Sequence, residues 1–100
     1  MSKPAIEVVV FKLKEGVSDE AFLQAAAALN PELKRMPGFL KRELGKDAGG
    51  TWVDILHWSS LEAAMQALEG MADAPGMAPF MELIDAAQDS MLHVEPRLEV

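Results

Sequence analysis

Residues 5–14, AIEVVVFKLK, restrict the fold more than any other stretch, because they form a strand sequence that is apolar on both faces. β-Branched and aromatic residues dominate the stretch, as is typical of strands. Side chains alternate along a strand, and the two apolar faces here are Ile6, Val8, Val10 and Val9, Phe11, Leu13. A strand of this kind lies in the middle of a sheet and is covered from both sides.

A helix is predicted after this strand. Ser18 has the position of its N-cap, and two acidic residues follow in the first turn, where the helix dipole favours them. Pro31 interrupts the helical pattern, because proline lacks the N–H group that a helix interior needs. Asn30 can cap a second short piece that has Pro31 at its first position. The sequence therefore predicts a helix in two pieces, ending near Met36.

A hairpin and a second helical region are predicted next. Residues 37–50 are typical of turn, strand and turn, and residues 51–58 of the partner strand. Ser59 and Glu62 have the spacing of a capping box, and Gly70 has the position of a helix stop. The stripe expected to be buried on this helix is Leu61, Met65 and Leu68. A short helix within residues 79–87 should bury Phe80, Leu83, Ile84 and Ala87, and a last strand should end before Pro96.

The resulting order, β-α-β-β-α-(α)-β, is that of the split βαβ, or ferredoxin-like, sandwich of the α+β class. Two helices cover one face of such a sheet and leave the other face bare. Because the first strand is apolar on both faces, the bare face would be a large exposed apolar patch. We therefore expect residues 1–100 to form one domain, and a second copy to cover the bare face in a symmetric homodimer.

Charge and composition exclude several classes of function. The net charge is −7, and residues 51–100 contain nine acidic residues and one basic residue, Arg97. Neither nucleic acid nor an anionic membrane is an expected partner, because both attract basic surfaces. No apolar run approaches the ~20 residues of a membrane span, and the N-terminus lacks the apolar core of a signal peptide. Without cysteine or a metal-binding histidine spacing, no metal or other cofactor is expected, and the cytoplasm is the default compartment.

Three stretches resemble sequences of a known family: FKLKEGVSDEAFLQA after the first strand, MPGFLKREL at the second, and WVDILHWSSLEAAMQAL from the third strand into the next helix. Through these stretches the chain resembles the dimeric α/β-barrel superfamily, and within it the antibiotic biosynthesis monooxygenase-like domains. SMLHVEP fits the last strand. The resemblance covers nearly the whole chain and implies cofactor-free oxygenation of a polyphenolic ring, haem degradation or isomerisation.

The resemblance also implies a site. In the family's oxygenases a tryptophan at the end of the third strand lines a pocket between sheet and helices, and Trp58 has that position. Those enzymes have a functional asparagine four residues earlier on the same strand face, where this chain has Asp54. The haem-degrading members have an asparagine midway along the first strand and a histidine after the third. Residues 6–11 contain no asparagine and residues 61–88 no histidine, so haem cleavage is not expected.

The third strand, TWVDILHW, holds both tryptophans of the chain. Trp52, Asp54 and Trp58 share one strand face, and His57 lies on the other. Two indole rings beside a carboxylate can stack a flat apolar ligand and accept one of its protons. Trp52 and Trp58 are therefore candidate ligand-binding residues, and Asp54 is a candidate base. The alternatives are tryptophans that only fill the core and an aspartate that only pairs with Lys41 or Arg42.

The two histidines are the remaining candidates. His93 lies on the last strand, which neighbours the first in this topology, so His93 can reach Glu7 and act as a base with an orienting carboxylate. A packing role for His93 is the alternative. His57 is a candidate ligand-binding residue, or else a hydrogen-bonded histidine in the dimer interface.

Three functions remain open at this point. The leading hypothesis is a small enzyme that binds a flat apolar or aromatic metabolite and oxygenates it without a cofactor. The first alternative is a ligand-binding or stress-response module of the same fold without turnover. The second is a structural oligomer. A shift of one residue in the register of the third strand would exchange the set of side chains that faces the helices for the other set.

Overall fold

The structure, a computed structural model, describes residues 3–100. Its elements are β1 (Ala5–Phe11), α1 (Asp19–Ala27), α2 (Asn30–Arg35), β2 (Phe39–Lys46), β3 (Trp52–Trp58), α3 (Leu61–Met71), α4 (Met77–Glu82), a 3-10 turn (Ala86–Gln88) and β4 (Ser90–Val94). The predicted order of strands and helices is confirmed, and the fold is the ferredoxin-like arrangement of the α+β class. No helix within residues 3–100 is long and apolar enough to cross a membrane.

The four strands form one antiparallel sheet in the order β2-β3-β1-β4. β1 is therefore an inner strand, as its two apolar faces predict. The helices cover one face, where β1 buries Ala5, Glu7 and Phe11 and β3 buries every second residue from Trp52 to Trp58. The other face, called the open face below, carries Ile6, Val8, Val10, Val53, Ile55, His57, Leu92 and Val94. Within one chain, β1 is covered from one side only.

The core lies between the covered face of the sheet and the helices, and aromatic rings form its centre. Phe22 of α1 is fully buried. Its ring centroid lies 5.5 Å from that of Phe11, 4.9 Å from Trp52 and 5.4 Å from Phe80. Such edge-on and offset contacts stabilise the core beyond the gain from burying the ring surfaces. They fix α1 and α4 over the ends of β1 and β3.

The first helical region is divided as predicted. The Ser18 side chain accepts a hydrogen bond from the Ala21 N–H (3.1 Å) and caps α1. α2 begins at Asn30 and ends before Met36, with Leu29 rather than Asn30 in the cap position. The Asn30 side chain instead accepts a hydrogen bond from Arg42, because the break between the helices brings it above β2.

The boundaries and the buried stripe predicted for α3 are wrong. Ser60, not Ser59, caps this helix, with its Oγ accepting a hydrogen bond from the Ala63 N–H at 3.0 Å. Gly70 lies inside the helix, which continues to Met71. Small residues face the sheet and let the helix approach it closely, and the buried set is Ala64, Ala67 and Met71. The predicted set is between 39% and 46% exposed: Leu61, Met65 and Leu68.

The short helix α4 confirms part of its predicted pattern. Phe80 and Ile84 are buried, Leu83 is half-buried, and Ala87 is exposed in the 3-10 turn.

The turn before β2 requires glycine at position 38. Gly38 has φ +85°, and a Cβ there would lie 2.6 Å from both Ala63 Cβ and Ser59 Oγ.

Candidate functional site

A cavity of about 460 Å³ lies between the covered face of the sheet and the helices. This volume is within the range of small-molecule binding sites. The sheet contributes its floor through Glu7, Val9, Phe11, Arg42, Asp54, Leu56, Trp58 and Met91, and the helices contribute its walls through Leu29, Leu33, Ala67, Leu68, Met71, Ala72, Met77, Phe80, Met81 and Ile84. Asp89 also lines it and is itself exposed. The lining is therefore apolar except for a few charged groups on the floor.

Four methionines are among the lining residues: Met71, Met77, Met81 and Met91. Methionine is unbranched and polarizable, so it adapts to irregular shapes and makes favourable contacts with aromatic rings. The helical walls of the cavity can therefore adjust to a flat ligand more easily than the sheet can.

Glu7 and His93 form the first polar pair on the floor. They are direct neighbours in the β1–β4 register, and His93 Nε2 lies 3.1 Å from Glu7 Oε1. This contact is one of the two roles that the sequence left open for His93. Burial raises the pKa of Glu7, an effect only partly offset by the hydrogen bond and charge of His93 and reinforced by the negative charge of Asp54. Glu7 lines the cavity, whereas His93 lies behind it as a partner.

Arg42 and Asp54 form the second polar pair. Arg42 donates two hydrogen bonds to the carboxylate, from Nε to Oδ1 (3.0 Å) and from Nη2 to Oδ2 (2.8 Å). Its Nη1 donates to the Ala26 carbonyl (2.8 Å) and to Asn30 Oδ1 (3.0 Å). Asp54 is 5% exposed, so its charge is held in place by the guanidinium. The alternative that Asp54 pairs with Arg42 is thus confirmed, and both carboxylate oxygens are occupied.

Trp58 lines the cavity at the end of β3 and is 1% exposed. Its ring packs edge-on against Phe39, with 5.5 Å between the centroids. The indole Nε1 is buried and has no hydrogen-bond partner among residues 3–100. An unsatisfied buried donor costs about 1–3 kcal/mol. Because Nε1 has almost no exposed surface, a ligand that offers an acceptor recovers that free energy when the ring turns its N–H toward the cavity.

Two of the sequence candidates lie away from the cavity. Trp52 shares its strand face with Trp58, but it packs in the core against Phe22, and Lys46 Nζ lies 5.7 Å from its ring centroid. It is not among the described lining residues, because α1 and the aromatic core fill the space above that end of β3. His57 lies on the open face, where Nε2 is 3.1 Å from Glu43 Oε1.

Two residues of the floor were considered from sequence only as partners, Glu7 and Arg42. The signal for Glu7 is a lone charged residue inside the apolar run of β1. The signal for Arg42 is its position on the strand paired with β3. Within residues 3–100, no three histidine or acidic side chains are grouped so that they could hold a metal ion.

The fold and the cavity define a ferredoxin-like α+β protein with an internal small-molecule-sized chamber. Residues 4–75 match the family model described as antibiotic biosynthesis monooxygenase, and the chain belongs to that family. No curated protein matches the sequence.

Solved structures share the whole fold. SnoaB from Streptomyces nogalater, a cofactor-independent oxygenase, is 18% identical with a TM-score of 0.82, over 99% of this chain and 98% of SnoaB. A Nitrosomonas europaea protein of unknown function is 17% identical with a TM-score of 0.75, over 98% and 93%. The heme-degrading protein of Mycobacterium tuberculosis is 22% identical with a TM-score of 0.67, over 100% and 98%. At these identities the likeness shows the fold alone.

Proposed function

We propose that the chain is a homodimeric, cofactor-free monooxygenase that binds a flat apolar or aromatic metabolite in the cavity. One observation carries this proposal: a chamber of about 460 Å³ has the partnerless indole of Trp58 and the buried carboxyl of Glu7 on the same floor. The similarity to SnoaB, which is a cofactor-independent oxygenase, supports the same reaction class.

Glu7 is the group that removes the proton. It lines the cavity, and a carboxyl with a raised pKa is a stronger base when it is ionised. His93 orients it through the 3.1 Å hydrogen bond. Asp54 is a poorer candidate, because Arg42 occupies both of its oxygens. The ligand lies against Trp58, whose Nε1–H donates to an oxygen of the ring system.

The oxygen step needs no added reductant when the ligand supplies the electrons. A polyphenol with a ring CH₂ group loses a proton to Glu7 and becomes an electron-rich anion that reacts with O₂. The CH₂ group becomes a carbonyl: one oxygen atom of O₂ becomes the carbonyl oxygen, and the other leaves as water with the two hydrogens. The residues bind the ligand, hold the proton and exclude solvent.

The open face supports the dimer. Ile6, Val8 and Val10 are only half-buried in the single chain, and Leu92 and Val94 are 60% and 42% exposed. Monomeric proteins rarely expose a continuous apolar patch of this kind. A second copy related by a two-fold axis covers both patches at once.

The test is oxygen uptake with dithranol, a three-ring polyphenol that has one ring CH₂ group. We expect the native chain to accelerate uptake, with one O₂ consumed per carbonyl formed. Glu7→Gln should lower the rate at least about 100-fold, the usual contribution of a general base. Glu15→Gln, which removes a carboxylate from the exposed turn before α1, away from the cavity and the open face, should leave the rate unchanged.

Binding is measured separately by tryptophan fluorescence. In Trp52→Phe the remaining signal comes from Trp58 alone, and dithranol should quench it. Trp58→Phe keeps a ring but loses the N–H and the fluorescent reporter, so its affinity is measured by calorimetry beside that of the native chain. It should bind about tenfold more weakly, as expected for one lost hydrogen bond of about 1.4 kcal/mol. Quenching without oxygen uptake would favour a non-catalytic ligand-binding or stress-response module. Absence of both would contradict the proposed function.

A further inference from the structure

We propose that the cavity selects its ligand by charge, accepting neutral or cationic ring compounds and rejecting those that carry an acidic group, with Glu7 as the residue that decides. The inference rests on the proposed binding function and narrows its ligand class.

The lining holds three carboxylates and one cation: Glu7, Asp54, Asp89 and Arg42. Arg42 is bound to Asp54 through two hydrogen bonds and to the α1–α2 break through two more. Four of its five N–H groups are therefore used, and its positive charge is balanced by the carboxylate of Asp54. Glu7 and Asp89 are left without a lysine or arginine partner in the lining.

Protonation of His93 does not reverse the sign. With His93 neutral, the lining carries two negative charges in excess when all three carboxyls are ionised. With His93 charged, its positive charge balances the negative charge of Glu7, and Asp89 still leaves one negative charge in excess. Whenever Glu7 is ionised, the net charge of the lining is therefore negative and repels an anionic ligand, whether His93 is charged or neutral. The effect is strongest at Glu7, which is 8% exposed, because charge interactions are less screened there than at the exposed Asp89.

The buried indole of Trp58 points independently to a ligand. Its unpartnered N–H needs an acceptor, which a carbonyl or hydroxyl oxygen supplies without charge. Glu7 in turn accepts a hydrogen bond from a hydroxyl or an ammonium group. Together the two residues fit a ring system that carries a neutral oxygen and a donor, and no carboxylate or sulfonate.

The experiment uses three probes of similar size and different charge: naphthalene bearing an aminomethyl group (cationic), a hydroxymethyl group (neutral) or a carboxylate (anionic) at the same ring position. Affinities are measured by calorimetry at neutral pH with the native chain. We expect the neutral and cationic probes to bind at least about tenfold more tightly than the anion, the ratio that about 1.4 kcal/mol gives. Like charges brought together in a binding site commonly cost at least that much.

Glu7→Gln should reduce the cation-to-anion ratio to within about threefold while the neutral probe keeps its affinity. Glu15→Gln is the matched control, because it removes the same charge from an exposed turn outside the cavity and away from the open face. The native ratio should persist in that variant. Circular dichroism checks that both variants are folded.

Three outcomes overturn the inference. An anionic probe that binds as tightly as the cation would show that the cavity does not select by charge, while the binding function would stand. Equal loss of selectivity in Glu7→Gln and Glu15→Gln would assign the effect to net charge rather than to Glu7. Failure of all three probes to bind would contradict the proposed binding function itself.

Discussion

Two polar pairs lie on the same sheet face, and each contributes to the lining of the cavity, yet their surroundings differ. The side chains of Arg42 and Asp54 are 10% and 7% exposed, and those of His93 and Glu7 are 16% and 10% exposed. Arg42 makes four hydrogen bonds and joins β2, β3 and the α1–α2 break. Within residues 3–100, the Glu7 side chain has one partner, His93. Although the two pairs are buried to a similar extent, Arg42–Asp54 has a structural role, whereas Glu7 of the other pair can still bind a ligand.

Breaking the Arg42–Asp54 pair should have the largest effect on stability. Arg42→Met leaves the Asp54 carboxylate buried without a cation, which costs about 3–5 kcal/mol in comparable pairs. A domain of this size has about 5–15 kcal/mol in total, so the variant should be close to unfolding. The free energy of unfolding is measured by urea titration.

The double variant Arg42→Met, Asp54→Leu is the control, because it removes both charges and keeps the site filled. It should recover most of the lost stability, since an apolar pair often replaces a buried ion pair without cost. A double variant as unstable as the single one would mean that the links to α1 and α2, and not the unpaired charge, dominate.

Glu7→Gln should have a smaller effect that depends on pH. Burial raises the pKa of Glu7 above its ordinary value of 4.5, so the folded chain holds this proton more tightly than the unfolded chain. The stability from this group is full below 4.5 and is lost as pH rises through the folded pKa. Relative to the native chain, Glu7→Gln should therefore gain stability from acid to neutral pH in urea titrations. A difference that stays constant with pH would contradict the assignment.

Asn30→Ala should have the smallest effect. It removes one of the four acceptors of Arg42, at an exposed position, which costs about 0.5 kcal/mol. Alanine is also the better helix former at the start of α2, which offsets part of the loss. A cost similar to that of Arg42→Met, measured in the same way, would show that the helix break and not Asp54 is the main partner of the guanidinium.

The sheet was predictable from the sequence because its signal has a period of two. The alternation in β1 and β3 places Asp54 and Trp58 on the covered face, and the topology makes Glu7 and His93 neighbours. These predictions need only the order of the strands in the sheet and the alternation of side chains along each strand, and the alternation can be read from the sequence.

The helices and the extent of the cavity were less predictable. The stretch from Leu61 to Met71 contains two possible stripes, one of large residues and one rich in alanine, and packing against the sheet selected the second. Trp52 and Trp58 share a face, but the position of α1 decides which of them meets the cavity. Which of Glu7 and His93 lines the cavity likewise depends on where the helices leave space.

The methionines of the cavity have a consequence for how this protein can diversify. Its charged groups belong largely to the sheet, whereas Met71, Met77 and Met81 belong to the helical side. Changes in those three side chains alter the outline of the chamber and leave the hydrogen bonds of the strands intact. Ring systems of different width can thus be accommodated by exchanging wall residues, while the polar pattern that a ligand must match stays the same.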